Sequence, residues 1–145
     1  METQLLANIP GLVSHFFISQ CDPGLYNVSF VKSKYAKNKK LQAWDIIILK
    51  ERDLKKLLKW VVRFNPKKWK TIGFFNQKKS IMVECSCHAE IMVVFFDKKE
   101  SMFYFEIYDN YWCKRKFYKK LSCEFVISVE NAKKYFSEVL KKISN

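Results

Sequence analysis

Apolar residues near the end of the chain follow two successive patterns, the first typical of a strand and the second of a helix. The segment EFVISVENAKKYFSEVL, residues 124–140, begins with the apolar run 125–127 and continues with apolar residues at spacings of three and four. Such a change of period indicates a buried strand followed by an amphipathic helix. Ser128 lies at the junction and is a good N-cap residue. We therefore predict a strand over residues 124–128 and a helix from there to about Ile143.

The same pattern occurs once more, at an ungapped offset that takes position 124 to position 46. There IIILKERDLKKLLKWVV combines an apolar run with a stripe of Leu54, Leu57, Leu58 and Val61. The offset also aligns residues 91–97 with 13–19 and residues 103–109 with 25–31. In the last pair the alternating apolar residues fall on opposite faces, and a one-residue shift would correct this. The self-similarity predicts one structural unit used twice.

Alternation and turn residues predict the remaining elements. Residues 1–12 fit either a short helix or an irregular first strand. The other predicted elements are strands at 13–19, 25–31, 45–49, 81–87, 90–96, 102–108 and 124–128, and helices at 51–64 and 129–143. The predicted fold class is α+β, with two pseudo-symmetric ββββα-type repeats packed as one compact domain. Residues 1–65 form the first repeat with its closing helix, residues 66–79 a basic linker, and residues 80–145 the second repeat with its closing helix.

The net charge of the chain indicates which classes of partner to expect. The chain has 27 Lys and Arg against 14 Asp and Glu, a formal net charge of +13 on 145 residues. This balance favours polyanions such as nucleic acid, nucleotides or anionic membrane. Only Arg52, Arg63 and Arg115 are arginines, and lysine suits phosphate contact better than base reading. An AT-rich genome would also enrich lysine, so the composition alone does not choose between these explanations.

The start of the chain has no basic, apolar leader, and the longest apolar run, 91–96, is too short to cross a membrane. The five cysteines are expected to stay reduced, mostly as core residues. We therefore expect a cytoplasmic protein, of a bacterial cell or an infected host cell, without a membrane partner.

Two predicted loops combine cations with aromatic rings at the same place in each repeat, between the third strand and the last. The linker has a similar composition. Lysines suit phosphates and rings suit stacked bases, which is what sequence-tolerant binding of single strands requires. The alternative is that the rings pack down as loop anchors. The candidate nucleic-acid-binding residues are Lys34, Tyr35, Lys37, Lys39, Lys40, Lys67, Lys68, Trp69, Lys70, Tyr111, Trp112, Lys114, Arg115, Lys116, Tyr118, Lys119 and Lys120.

The sequence Cys85-Ser86-Cys87-His88 is the sharpest local motif. Alternation places Cys85 and Cys87 on one strand face as weak candidate metal ligands, but no second closely spaced pair completes a zinc site. Cys87 and His88 point to opposite faces and cannot act as nucleophile and base. The H-x-E of zinc deaminases begins at His88, but its companion P-C-x-x-C is missing. We therefore predict no metal, no cofactor and no catalytic residues.

Two ββββα units in tandem with a basic surface resemble the PC4, Whirly and Pur group of single-strand nucleic-acid-binding folds. The resemblance implies curved sheets that carry single-stranded DNA or RNA, and it assigns no binding residue. The C-terminal part of the chain also looks like small uncharacterised phage proteins, in which a Cys-rich strand, here ECSCH, precedes a hairpin and a final strand–helix, here FVISVENAKKYF.

These observations predict a small, non-enzymatic, basic nucleic-acid-binding protein that prefers single strands. Two alternatives stay open. The first is a phage-encoded inhibitor of a host defence protein, or a sponge for a nucleotide signal, with a host protein or small anion as partner. The second is a small nuclease or nucleotide enzyme. A homodimer is a further arrangement that the sequence leaves open.

Overall fold

The computed structural model of the chain describes residues 4–33, 45–66, 80–84, 90–110 and 118–144. These residues form eight strands and two helices in two runs of four strands and one helix. The elements are β1 (Gln4–Pro10), β2 (Ser14–Asp22), β3 (Leu25–Lys32), β4 (Asp45–Lys50), α1 (Glu51–Arg63), β5 (Ser80–Glu84), β6 (Glu90–Asp97), β7 (Met102–Asn110), β8 (Tyr118–Ser128) and α2 (Val129–Ser144).

The strands make two separate antiparallel sheets, and in each sheet the strands lie side by side in chain order. β1 to β4 form the first sheet and β5 to β8 the second. Each helix starts at the residue after its sheet's last strand, so no connecting loop separates strand from helix. The α+β class is therefore confirmed. Neither helix is long and apolar enough to span a membrane among the residues that the structure describes.

The start of each helix is held by the same kind of turn. The backbone N–H of Glu51 donates to the carbonyl of Gly24, and the N–H of Val129 donates to that of Ser101. Gly24 and Ser101 both have positive φ angles, +77° and +57°. The predicted N-cap is confirmed, because Ser128 Oγ accepts a hydrogen bond from the N–H of Asn131 at 3.2 Å. The two helices therefore begin from matching backbone arrangements.

Cross-strand pairing also matches between the sheets, although not at a single offset. In the first sheet Val28 lies between its cross-strand partners Ile18 and Ile47, and in the second sheet Phe105 lies between Val94 and Phe125. All six residues are fully buried, and we pair Ile18 with Val94, Val28 with Phe105, and Ile47 with Phe125. Within the pairs, the two residue numbers differ by 94 − 18 = 76, 105 − 28 = 77 and 125 − 47 = 78. The turn before β7 has four residues and the turn before β3 has two, while a β-bulge between Gln20 and Asp22 adds one residue to β2. The segment from Ile18 to Val28 is therefore one residue shorter than the segment from Val94 to Phe105. Relative to the offset that matches β4 with β8, the pairings of β3 and β7 match at a shift of one residue, and those of β2 and β6 at a shift of two.

A single cluster of buried apolar side chains includes residues of both sheets and both helices. The ring of Phe16 lies at its centre, 5.2 to 5.5 Å from the rings of Phe30, Phe105, Phe125 and Phe136. The predicted stripe of α1 is confirmed as fully buried. In α2 one residue of the predicted stripe, Tyr135, is only half-buried, and the others are confirmed as buried: Ala132, Phe136, Val139 and Ile143. The hydroxyl of Tyr135 favours a position at the edge of the core, where water can satisfy it.

The two halves are interlocked by their helices and by one turn. α1 contacts β5 of the second sheet, α2 contacts β1 of the first, and the helices contact each other. Between β1 and β2, the N–H of Leu12 donates to the carbonyl of Val126 at 3.0 Å, which places the turn against the edge of β8. A Cβ atom on Gly11 would lie 2.6 Å from the ring of Phe125, so this approach requires glycine.

Several element boundaries differ from those predicted. Of the two alternatives predicted for residues 1–12, the strand is observed, as β1 over Gln4–Pro10. The second predicted loop, 110–121, is wrong at both ends because β7 continues to Asn110 and β8 begins at Tyr118. In β8, Lys119 lies opposite Asp109. The backbone groups of a long β7 need partners, and an extended β8 supplies them.

Candidate functional site: a basic groove along the first helix

Most of the predicted binding residues lie outside the described residues, so their roles stay predictions. These are Lys34, Tyr35, Lys37, Lys39, Lys40, Lys67, Lys68, Trp69, Lys70, Tyr111, Trp112, Lys114, Arg115 and Lys116, together with the weak metal candidates Cys85 and Cys87. Tyr118, Lys119 and Lys120 are in β8 rather than in a loop, and their backbones pair with β7.

A large groove lies between the outward face of α1 and β5, with a volume of about 820 Å³. We call it the α1 groove. The described residues that line it include five cations and one acid. They are Glu51, Arg52, Lys55, Lys56, Lys59, Trp60, Arg63, Phe64 and Ile81.

Helix geometry explains how the cations come together. Residues three and four apart lie on one face of a helix, so Arg52, Lys55, Lys56, Lys59 and Arg63 form a continuous stripe. The stripe lies opposite the buried stripe of α1, and it advances by about 5.4 Å with each turn. A similar distance separates successive phosphates of a nucleic-acid strand. In the sequence, this surface is indicated by cations that recur at spacings of three and four. The hydrophobic stripe alone does not indicate it.

Trp60 supplies an aromatic surface at the edge of this stripe, on the side of the second sheet. Its ring is half-buried and rests on Phe64 and Phe103, with centroid distances of 5.1 and 5.8 Å. Phe64 in turn contacts Phe96 at 4.7 Å, so the ring is supported by residues of both halves. An aromatic ring that packs on the core with one face and is accessible on the other offers a rigid stacking surface, which loses little conformational entropy on binding.

The positive charge of the stripe is only weakly neutralised. Lys55 Nζ lies 3.8 Å from Glu51 Oε2, and Arg52 Nε lies 3.9 Å from Asp53 Oδ1. Both distances are longer than a good hydrogen bond, and the Arg52 side chain is 84% exposed. Exposed ion pairs of this kind contribute little. The α1 groove therefore keeps a strong excess of positive charge.

The carboxylate of Glu51 is held in place by a hydrogen bond from the buried side. The hydroxyl of Tyr26 donates to Glu51 Oε1 at 3.2 Å, and Tyr26 itself is only 4% exposed. Burial, together with the hydrogen bond to Glu51, raises the pKa of Tyr26 above its ordinary value, so the phenol remains a donor at neutral pH. The first turn of a helix also favours a negative charge. Glu51 is thus a fixed carboxylate at one end of the cationic stripe.

A second groove lies at the matching place between α2 and β1, and we call it the α2 groove. It has a volume of about 260 Å³ and is lined by Leu5, Leu6, Ala7, Asn8, Ile9, Tyr135, Glu138, Val139 and Lys142. Lys142 Nζ donates to the carbonyl of Leu6 at 3.1 Å and bridges the groove. With one acid, one lysine already engaged and mostly apolar walls, the α2 groove has no feature that favours a polyanion.

The described residues do not assemble a metal site, because no three of their His, Cys, Asp and Glu side chains lie close enough to share an ion. The chemistry available in the α1 groove is instead charge attraction and ring stacking. Comparisons with known proteins add no further constraint: no model of a known protein family matches the chain, and no curated protein matches it either.

Proposed function

We propose that this chain binds single-stranded nucleic acid without sequence preference, with the phosphates on the cations of the α1 groove and a base stacked on Trp60. The observation that carries the proposal is the five-cation stripe along α1 with a supported, half-buried indole beside it. Phosphates supply a large, sequence-independent share of the affinity, and stacking of each base adds about 1–3 kcal/mol. A duplex would hide its bases from Trp60, so single strands are preferred.

The distribution of arginine supports the same site. The chain has three arginines among 27 cations, and two of them, Arg52 and Arg63, lie at opposite ends of the α1 groove. A general enrichment in lysine would not place them there. The guanidinium group forms paired hydrogen bonds to phosphate oxygens and stacks on bases, which a lysine cannot do. Arginine at both ends would hold a strand that runs along the helix.

We further propose that the two halves are pseudo-symmetric repeats of the kind that the PC4, Whirly and Pur group combines. The matching ladder positions, the two positive-φ residues and the direct strand-to-helix junctions support this proposal. In this view the Lys-rich residues 34–40, 67–70 and 111–120 add further contacts to the strand. Binding in this form requires neither a metal nor catalysis.

The test compares matched charge reversals on the two helices. Lys56→Glu with Arg63→Glu alters the α1 groove. Lys134→Glu with Lys141→Glu makes the same change of charge at the corresponding positions of α2, which do not line the α1 groove. We measure fluorescence anisotropy of a labelled single strand at several salt concentrations. The slope of log affinity against log salt should fall by about 1.4 in the groove variant, at about 0.7 per lost phosphate contact.

The control pair should keep its slope, because Lys134 and Lys141 are exposed on the other helix. Equal loss in both variants would mean that only net charge matters, and an unchanged slope in the groove variant would overturn the proposal. Tight binding to an acidic protein or a mononucleotide, without binding to long strands, would favour the inhibitor or sponge alternative instead.

A further inference from the structure

We infer that the α1 groove distinguishes RNA from DNA, and that Glu51 is the residue that does so, by accepting a hydrogen bond from a ribose 2′-hydroxyl. This inference rests on the proposed function. Glu51, the one acid among the described residues that line the groove, stands at the end of a stripe of five cations, where it repels the phosphates that the stripe attracts.

The geometry keeps Glu51 available to a ligand. The Glu51 side chain is 44% exposed, and the hydroxyl of Tyr26 holds Oε1 from the buried side at 3.2 Å. Oε2 lies 3.8 Å from Lys55 Nζ, beyond good hydrogen-bond distance, so it retains acceptor capacity. A carboxylate accepts hydrogen bonds and does not donate them. Its ligand must therefore present a donor.

The position of Glu51 brings its carboxylate close to the sugars of a bound strand. Arg52 and Lys55, the nearest cations, would hold phosphates, and each phosphate is directly linked to a sugar. Trp60, the stacking surface for a base, lies nine positions further, about 13 Å along the helix axis. The sugars of nucleotides held at Arg52 and Lys55 would therefore lie close to Glu51, and the base stacked on Trp60 would not.

The 2′-hydroxyl is the donor that RNA has and DNA lacks. An RNA strand offsets the repulsion at Glu51 with a charge-assisted hydrogen bond, whereas a DNA strand leaves the repulsion unbalanced. Tyr26 acts here as a positioning residue, because its hydroxyl fixes the carboxylate without contacting the strand.

The experiment measures the affinity of the full chain for three single strands of one sequence: oligouridylate, oligodeoxyuridylate and 2′-O-methyl oligouridylate. The methylated strand keeps the 2′ oxygen but has no donor. We expect the RNA strand to bind about tenfold more tightly than the DNA strand, the effect of one hydrogen bond to a charged group. The methylated strand should bind no better than DNA.

Glu51→Gln separates recognition from simple repulsion. The amide still accepts from Tyr26 and loses the charge, so DNA should bind more tightly and the RNA-to-DNA ratio should fall toward one. If Glu51 only repels phosphate, both strands gain equally and the ratio is unchanged, which would overturn the inference. Tyr26→Phe should lower the ratio while DNA affinity stays constant. Should that variant unfold by circular dichroism, the Glu51→Gln result decides alone.

The two proposals fail in different ways. If all three strands bind weakly and without a steep dependence on salt, the proposed function is wrong. If all three bind equally well and with steep salt dependence, nucleic-acid binding stands and only the role of Glu51 is wrong.

Discussion

The α1 and α2 grooves occupy equivalent positions in the two halves, each between a helix and the first strand of the opposite sheet. Their chemistry is nevertheless opposite. At corresponding positions of the two helices, Arg52 is matched by Glu130 and Trp60 by Glu138. The first groove is wide and cationic around an aromatic ring, and the second is small and bridged by Lys142. One backbone arrangement thus supports two unrelated surfaces.

The inward positions of the two helices share apolar character rather than identical side chains, since Leu54 corresponds to Ala132 and both are fully buried. Leu58 and Phe136 are both fully buried at equivalent places, and Val61 corresponds to Val139. Interiors are close-packed, so a change in size there is felt at once, whereas an outward side chain changes with little effect on stability. The two helices therefore both turn an apolar face to the core, while their outward faces carry different charges.

The largest expected effect is the loss of stability when a side chain of the common core is truncated. Leu58→Ala should lower the free energy of unfolding by about 2–5 kcal/mol, and Phe136→Ala by about 3–5 kcal/mol, because each leaves a cavity in the common core. Chemical denaturation monitored by circular dichroism measures both. Loss of stability in one variant only would contradict the equivalence of the two helices.

Trp60 is the next test, since it has no aromatic counterpart in α2. Trp60→Ala should weaken binding of a single strand by about 1–3 kcal/mol without changing the salt slope, because it removes a ring and no charge. Glu138→Ala, the matched control, should leave binding nearly unchanged. Anisotropy titrations provide both numbers, and a change of slope in Trp60→Ala would show that the ring orders the neighbouring cations instead of stacking.

Lys55 and Lys133 are equivalent lysines with different roles. Lys133 Nζ donates to the carbonyls of Val62 and Phe64 at the end of α1, where a cation also complements the helix dipole. Lys133→Met should therefore lower stability by about 1–2 kcal/mol, below the usual range for a charged hydrogen bond because the side chain is half-exposed. Lys55→Met should weaken binding and leave the melting temperature unchanged. The reverse assignment of effects would contradict the division of roles.

The smallest effect is expected from making the α2 groove resemble the α1 groove. Glu130→Arg with Glu138→Lys adds positive charge to that side of α2, but the bridge from Lys142 to Leu6 keeps the space narrow. We expect the salt slope to rise by no more than about 0.7, the value for one phosphate contact. A rise of several contacts would mean that charge alone, without the wide groove and Trp60, creates the site.

Much of the fold was predictable because it depends on local pattern. The amphipathic stripe of α1 and the cap at Ser128 are visible in the order of residues, and the structure confirms both. The register between β2 and β3 was not predictable, because a turn length and a β-bulge change it by single residues. The cations of α1 were not predicted as a site, because a mixture of cations and aromatic rings favoured the loops, whereas the described basic surface lies on a helix.

The sequence by itself determined which faces of the helices are buried, where the strands meet the helices, and that the chain is strongly basic. These properties follow from spacing and composition, which act over a few residues. Only the tertiary structure decided that β5 closes one side of the cationic stripe, that Phe64 and Phe103 support Trp60, and that Tyr26 holds Glu51. Each of these arrangements depends on residues far apart in the chain, and the packing of the two sheets and two helices around one core brings them together.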